Sequence, residues 1–578
     1  MAWKMLPTFV AVCLALLFAT SSAASTLTHN RDHSTRKPPQ VTVRNGTLQG
    51  LHLPAFNEDV FLGIPFAAPP VGDLRLRHPK AFNQQWKGVR AATQRSASCP
   101  GYAGFMKALP VVGEDCLTVD VVRPVGMKPR DKFPVMVWIY GGGFTAGGSA
   151  DARYNTSYLV NASMAIKKPV IAVSLNYRVA GFGFLASKEV AEAGEANIGL
   201  FDQRLALRWI QENIHAFGGD PNRVAIFGES AGAFSVGYHL TGFDGRNDGL
   251  FRAAILQSGS ALGPGINSQA QLADTYQPIY DNVTTTVGCA KAKDSLACLR
   301  TVPYETLFNA FAPFVLTPIL DGDFLRRLPS ESFAKGLVAK VAILAGSNTD
   351  EGTATFFGPR NTLQNDDDIH KLLAGLGNGL DSTTVSEAMQ LYPDDPTQGC
   401  PFNTGAERFA GQGYMYKRGA AIIGDSVIHA GRRFTTEYFA SRPRRARQPV
   451  YSYRFDQPPW DGKEELVATV APVYSTHYAE ICFVFNLDPS ASRNDSNWIG
   501  PYKDFHDLSD FIARSWVSFA HDLNPNGHEC GKEYPKWPEY SKSTSNMVFK
   551  AGGSWVERDT WRAPQLKFWS KIWGQLKT

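Results

Sequence analysis

Gly228-Glu-Ser-Ala-Gly232 is the first segment whose residue types and spacing could do chemistry. A serine with glycines two positions away on each side can sit on a tight, strained turn, because small neighbours let adjoining backbone pass and push the hydroxyl outward. Alone the pattern is weak: a chain this long shows one by chance roughly a third of the time. Its setting is informative. The apolar run Val224 to Phe227 precedes it, and Ala233 to Leu240, which can be helical, follows it. A serine between a strand and a helix N-terminus stands where developing negative charge is favoured. Ser230 is the candidate nucleophile; the alternative is an ordinary glycine-rich turn.

Tyr140-Gly-Gly-Gly-Phe144 directly follows another apolar run, Val135 to Ile139. Glycines there leave amide N–H groups unobstructed. Acyl transfer needs such donors aimed where a carbonyl oxygen becomes an oxyanion, and removing one typically costs ~10²–10³ in rate. Gly142 and Gly143, with the amide of Ala231, would form the hole. A phosphate-cradling loop is the competing reading, but the Lys-Ser/Thr ending of a P-loop is missing.

The elements that must position these groups are short runs rich in β-branched residues: Val135 to Ile139, Val170 to Ser174, Val224 to Phe227, Ala253 to Leu256 and Val341 to Leu344. Continuous apolar character suits strands buried on both faces. Leu200 to Ile214 lies between the second and third and carries Leu205, Leu207, Trp209, Ile210 and Ile214 at spacing compatible with a helix. Strand, helix, strand predicts a parallel α/β sheet. Residues 265 to 450 read as less regular, with many loops. Arg442 to Arg447 is the one dense basic run, and a solvated turn before the strand at Val450 is its plainest reading.

Lys plus Arg total 58 against 53 Asp plus Glu, a formal charge of +5 over 578 residues. That lacks the concentrated basic footprint of a nucleic-acid binder. No periodic repeat marks a solenoid, coiled coil or collagen. Lys4, the apolar run Leu6 to Phe18 and the small residues Ser22-Ala23-Ala24 predict a secretory signal over 1–24. The run is shorter than the ~20 residues a membrane span needs. Residues 25–578 read as a single domain, with a loose lead-in ahead of Val41. Of eight cysteines, Cys13 lies in the signal. The odd remainder in an oxidising compartment implies a free thiol or an intermolecular bond, and Cys482, in an apolar run, is the candidate thiol. Sequons stand at Asn45, Asn155, Asn161, Asn282 and Asn494. No cysteine or histidine spacing matches a zinc site, and no metal is expected.

Further motifs lie in order along the chain: Phe61-Leu-Gly-Ile-Pro-Phe-Ala-Ala-Pro-Pro-Val-Gly72, Glu114-Asp-Cys-Leu117, Trp138-Ile-Tyr-Gly-Gly-Gly-Phe144, Asn176-Tyr-Arg178, the serine turn, Asp350-Glu-Gly352 and His477-Tyr-Ala-Glu-Ile-Cys-Phe-Val-Phe485. Together they resemble the type-B carboxylesterase/lipase family, the cholinesterase-like branch of the α/β hydrolases, and its fungal secreted members most closely. The resemblance runs from Val41 to about Trp573.

It implies an α/β-hydrolase fold, a large and mostly parallel central sheet with helices on both faces. It implies a Ser-Glu-His triad of Ser230, Glu351 and His477, in the chain order nucleophile, acid, base. The residues alone leave both partners open: His370, His429, His506, His521 and His528 also follow Glu351, and Asp350 rivals it. The implied activity is secreted, cofactor-free hydrolysis of a small-molecule carboxylic ester through an acyl-enzyme. Alternatives are a tailoring esterase or acyl-transfer enzyme of secondary metabolism, a lidded lipase, and a non-catalytic adhesion relative. The resemblance also implies disulfides Cys99–Cys116 and Cys289–Cys298 and an Arg75–Glu114 ion pair; Cys400–Cys530 is a guess. The loop Pro100 to Asp115 is short for a large apolar lid, which favours soluble esters. It holds Tyr102 and Phe105 but no Trp to stack on a choline ammonium. Phe144, Phe356 and Phe357 are expected to line an apolar gorge or the core.

Overall fold

Each apolar run becomes a strand of one sheet in a computed structural model, which describes residues 37–102, 106–107, 109–263, 272–354, 361–377, 379–443, 445, 447–460, 474–487, 499–528 and 534–578. The expected signal, Phe105, Phe356, Phe357, Asn494 and Cys530 lie outside the described residues. Pro38–Thr578 forms one unit.

The strands are β1 (Gln40–Val43), β2 (Gly46–Gln49), β3 (Leu51–Leu53), β4 (Glu58–Pro65), β5 (Val89–Ala91), β6 (Thr118–Pro124), β7 (Phe133–Ile139), β8 (Ile171–Leu175), β9 (Gly219–Glu229), β10 (Ala253–Gln257), β11 (Ala342–Asn348), β12 (Val450–Phe455), β13 (Ser545–Phe549) and β14 (Trp555–Arg558). Among the described residues eleven strands form the main sheet, in the order β14-β13-β12-β11-β10-β9-β7-β8-β6-β4-β3, and β1, β2 and β5 form a small one. From β8 across to β13 every pair is parallel; the flanks are antiparallel.

Neighbouring side chains on a strand point to opposite faces. Val135, Met136, Val137, Trp138 and Ile139 are all fully buried, so both faces of β7 are covered, as its unbroken apolar character demands. The helix Ile198–Asn213 links β8 to β9, and Ala231–Gly245 packs on β9 and β10, while Lys503–Asp522 packs on β7 and β9. The stretch read as irregular from 265 to 450 contains several helices, among them Gln277–Thr286, Ser382–Leu391 and Ala430–Ser441. They are amphipathic, but they are short and set among loops.

Parallel register brings the strand ends together. Ile139 pairs with Gly228, Glu229 with Gln257, and Gln257 with Gly346. The loops after β7, β9 and β11 therefore leave the sheet at one edge, the carboxyl edge where ligands bind in open α/β sheets.

Two disulfides tie outlying loops, Cys99–Cys116 and Cys289–Cys298. Arg75 meets Glu114 in a bidentate pair at 2.6 and 2.7 Å and also donates to the carbonyls of Arg300 and Val302, next to the second disulfide. The guessed Cys400–Cys530 bridge is corrected. Cys400 is a buried thiol whose Sγ lies 3.7 Å from Asp350 Oδ1. Cys482 is a buried thiol too. Asn45 is a poor glycan acceptor in this fold: it is buried, and its side-chain nitrogen donates to the carbonyls of Phe82 and Gln84 at 2.7 and 3.1 Å. Asn161 and Asn282 are exposed and Asn155 is half-buried.

Candidate active site

Ser230 joins β9 to the helix Ala231–Gly245 with φ 55° and ψ −125°, a conformation that costs a non-glycine residue of order 1–3 kcal/mol and persists only where surroundings hold it. The holding is visible. A Cβ on Gly232 would stand 2.1 Å from the Ile139 carbonyl oxygen, and one on Gly228 would stand 2.6 Å from the Gly232 backbone. The two glycines thus let β7, β9 and the helix approach closely enough to force the turn. The Ser230 amide is anchored on the Gln257 carbonyl at 3.0 Å.

Glu351 begins the turn after β11. Its carboxylate accepts the Asn348 amide at 2.7 Å and faces His477 Nδ1 at 2.5 Å. Both side chains are buried. Asp350, the rival acid, points elsewhere: its Oδ1 accepts the Phe402 amide at 2.8 Å, and burial pushes its carboxyl up to about 7. His429, another candidate base, bonds Ser347, and His506 bonds the Gly500 carbonyl.

The structure also brings in carboxyls that sequence reading did not single out. Glu229, immediately before Ser230, lies with Oε1 3.0 Å from His477 Nε2. Burial holds its carboxyl well above the usual range, Glu480 and Glu351 push the same way, and Arg153 opposes them. Glu480 receives hydrogen bonds from Asn348 Nδ2 at 2.7 Å and Gln257 Nε2 at 3.2 Å, and burial raises it also. The signal for both was present: one occupies the second position of the serine pentapeptide and the other lies three residues beyond His477.

Gly142, Gly143, Ala231, Ser230 and His477 all line one cavity of about 430 Å³, a size that holds a small molecule. Gly142 has φ 104°, and a Cβ there would meet the Ala146 carbonyl oxygen at 2.4 Å, so the loop's path requires glycine. Phe144, Phe234, Tyr238, Val315, Pro318 and Val427 make one part of the wall apolar. Asp151, Tyr154 and Tyr478 make another part polar. Of the aromatic residues expected at a gorge, Phe144 is in the wall.

The carboxylesterase family profile matches residues 37–569. The chain belongs to the carboxylesterase family. It is a carboxylic-ester hydrolase of that family with the α/β-hydrolase fold. Lipase 4 of Diutina rugosa is 35% identical over 91% of this chain and 94% of its own length. Secreted lipase 1 of Botryotinia fuckeliana is 34% identical over 89% and 90%, and a secreted triacylglycerol lipase of Gibberella zeae is 33% identical over 91% and 89%. The crystal structure of Aspergillus niger EstA superposes with a TM-score of 0.79 at 26% identity, covering 94% of this chain and 99% of that one. Among the described residues no helix of this carboxylesterase is long and apolar enough to cross a membrane.

Proposed function

We propose that the protein is a secreted carboxylesterase working through Ser230, Glu351 and His477. The observation that carries this is the shared cavity: a strained serine and a buried histidine line it, and the histidine's far nitrogen is held by Glu351. Nδ1–H donated to Glu351 leaves the Nε2 lone pair to take the Ser230 proton as Oγ attacks the ester carbonyl. Glu351 fixes that tautomer and stabilises the imidazolium. The amides of Gly142, Gly143 and Ala231 receive the oxyanion. His477 then protonates the leaving alcohol, and water hydrolyses the acyl-enzyme.

The preferred substrates are soluble esters of short or medium acyl chains. The Cys99–Cys116 loop is short and pinned: Ser98 and Gly113 are hydrogen-bonded across it, and the Tyr102 amide donates to Thr145 O at 2.8 Å. Several relatives are named lipases, so the discriminating experiment is the rate on tributyrin as its concentration passes the solubility limit. A smooth, saturating curve is expected; a sharp rise at the limit would assign interfacial lipase behaviour. Secretion is supported by the expected signal and by the relatives named as secreted. N-terminal sequencing of protein from culture fluid should begin at Ser25. Asn161 and Asn282 are the proposed glycan acceptors.

A further inference from the structure

The apolar side of the catalytic cavity holds a hydroxyl that the chemistry at Ser230 does not use. The helix Ala231–Gly245 starts beside Ser230 and contributes Ala231, Phe234 and Tyr238 to the lining. That spacing puts the three side chains on one helix face. Tyr238 is 6% exposed, and the ring of Phe144 stacks on its ring with centroids 6.2 Å apart. The helix cannot shift freely here. A Cβ on Gly237 would stand 2.2 Å from the Ala261 amide nitrogen, so the helix lies directly on the chain that follows β10.

The hydroxyls on the lining differ in what they touch. Thr145 donates to the Gly142 carbonyl at 3.1 Å, Thr317 is bonded to the Tyr276 hydroxyl at 3.2 Å, and Tyr478 donates to Tyr154 at 2.9 Å. Apart from the nucleophile, Tyr238 is the remaining one, and among the described residues no hydrogen bond engages it. A buried hydroxyl without a partner is costly. A plain alkyl chain lying there displaces water from it and offers nothing in return.

The lining also limits the partner. It contains no Lys or Arg among the described residues, so a chain ending in a carboxylate finds no countercharge. The carboxyls of Asp151 and Glu229 act on Tyr154 and not on Tyr238, so an ammonium would be drawn elsewhere. A phenol both donates and accepts, which matches a neutral hydroxyl. Tyr238 is eight residues past Ser230, which is about 12 Å along the helix axis, and helical side chains lean back towards the N-terminus. An extended acyl chain of about six to eight carbons spans that distance at C–C bond lengths near 1.5 Å. We propose that the acyl chain lies along Ala231, Phe234 and Tyr238, and that the favoured substrates are esters of medium-chain hydroxy acids whose terminal hydroxyl meets Tyr238. This rests on Ser230 being the nucleophile.

The test compares p-nitrophenyl esters of ω-hydroxy acids with plain esters of equal length, from butanoate to dodecanoate, each below its solubility limit. At the hexanoate and octanoate lengths kcat/KM should favour the hydroxy ester by about fivefold, the worth of one net hydrogen bond. At butanoate and dodecanoate the preference should vanish. Tyr238→Phe keeps the ring and loses the hydroxyl, and should bring the ratio to about one at every length. Each ratio is taken within one protein, so a change in overall rate does not enter it. Wild type that favours the plain ester throughout or the hydroxy ester at every length alike, or a Tyr238→Phe variant that keeps the preference, overturns the proposal. If that variant does not fold, the length dependence in wild type decides. Ser230→Ala is read separately on p-nitrophenyl acetate: persisting turnover overturns the choice of nucleophile, whereas lost turnover without any hydroxyl preference in wild type overturns this proposal alone.

Discussion

Asp559 and Glu229 are both buried carboxyls, and their surroundings push them in opposite directions. Asp559 directly follows β14. Burial alone would raise it, but Arg432 and Arg433 outweigh that cost and hold it far below the usual carboxylate range. It also accepts from Tyr540 at 2.7 Å and Asn546 at 3.1 Å, so its lone pairs are satisfied. Glu229 lies among Glu351, Glu480 and His477, and the polar group nearest its carboxyl is His477 Nε2 at 3.0 Å from Oε1. A buried ion with ample partners is a rigid structural joint. A cluster of like charges short of cations stores cost, and such cost is tolerated where groups must exchange protons.

The largest test of that contrast is at the cavity. Ser230→Ala and His477→Ala should each lower kcat by a factor approaching ~10⁶, as coupled triad members do elsewhere, while chemical denaturation stays near wild type. His506→Ala should keep its activity; a dead His506 variant would show that the wrong base has been chosen. Glu351→Gln comes next. It preserves shape but no longer holds the Nδ1–H tautomer, and a loss of about 10⁴ in kcat is expected, measured on p-nitrophenyl butyrate. Comparable loss in Asp350→Asn instead would exchange the two acids.

Asp559→Asn should act on stability rather than chemistry. Breaking one partner of a buried ion cluster costs about 3–5 kcal/mol, read from urea unfolding, with kcat on the folded enzyme near wild type. The Asp559 carboxyl is depressed in the fold, so its contribution is present above its unfolded value and lost as pH falls towards the folded one. The variant should therefore lose less stability than wild type on acidification. An unchanged acid limb would remove Asp559 from the stabilising side of the comparison.

The smallest effect belongs to Asp350. Its folded value of about 7 lies above the ordinary carboxylate value of 3.8. The stability it contributes is present below that lower value and is lost as pH rises through 7. Asp350→Asn should flatten the fall in Tm between about pH 4 and 7. A slope identical to wild type would mean that Asp350 is ionised in the fold at neutral pH.

How much was readable varies by element. The strands β7 to β11 were legible because burial on both faces leaves unbroken apolar runs. The edge strand β14, with Trp555 and Val556 half in solvent, carries no such signature. The helices between 277 and 441 were harder to place because they are short and set among loops, although each is amphipathic. At the site, Ser230 and the glycine loop were visible from local spacing alone, since a strained turn restricts residue type at adjacent positions. The proposed acid and base, Glu351 and His477, came only from resemblance to a family, because 126 residues separate them and nothing in local sequence links two such distant positions.

Residue types along the chain set where the backbone could bend: glycines at 142, 228 and 232 and short apolar strands with turns at their ends. These are local steric consequences of side-chain size. Which charges face one another followed from the packing of the fold. Parallel register set the ends of β7, β9 and β11 side by side, and that juxtaposition surrounds His477 with three glutamates while sending Asp350 towards Phe402. Electrostatic interaction depends on distance and on excluded water, and chain order specifies neither.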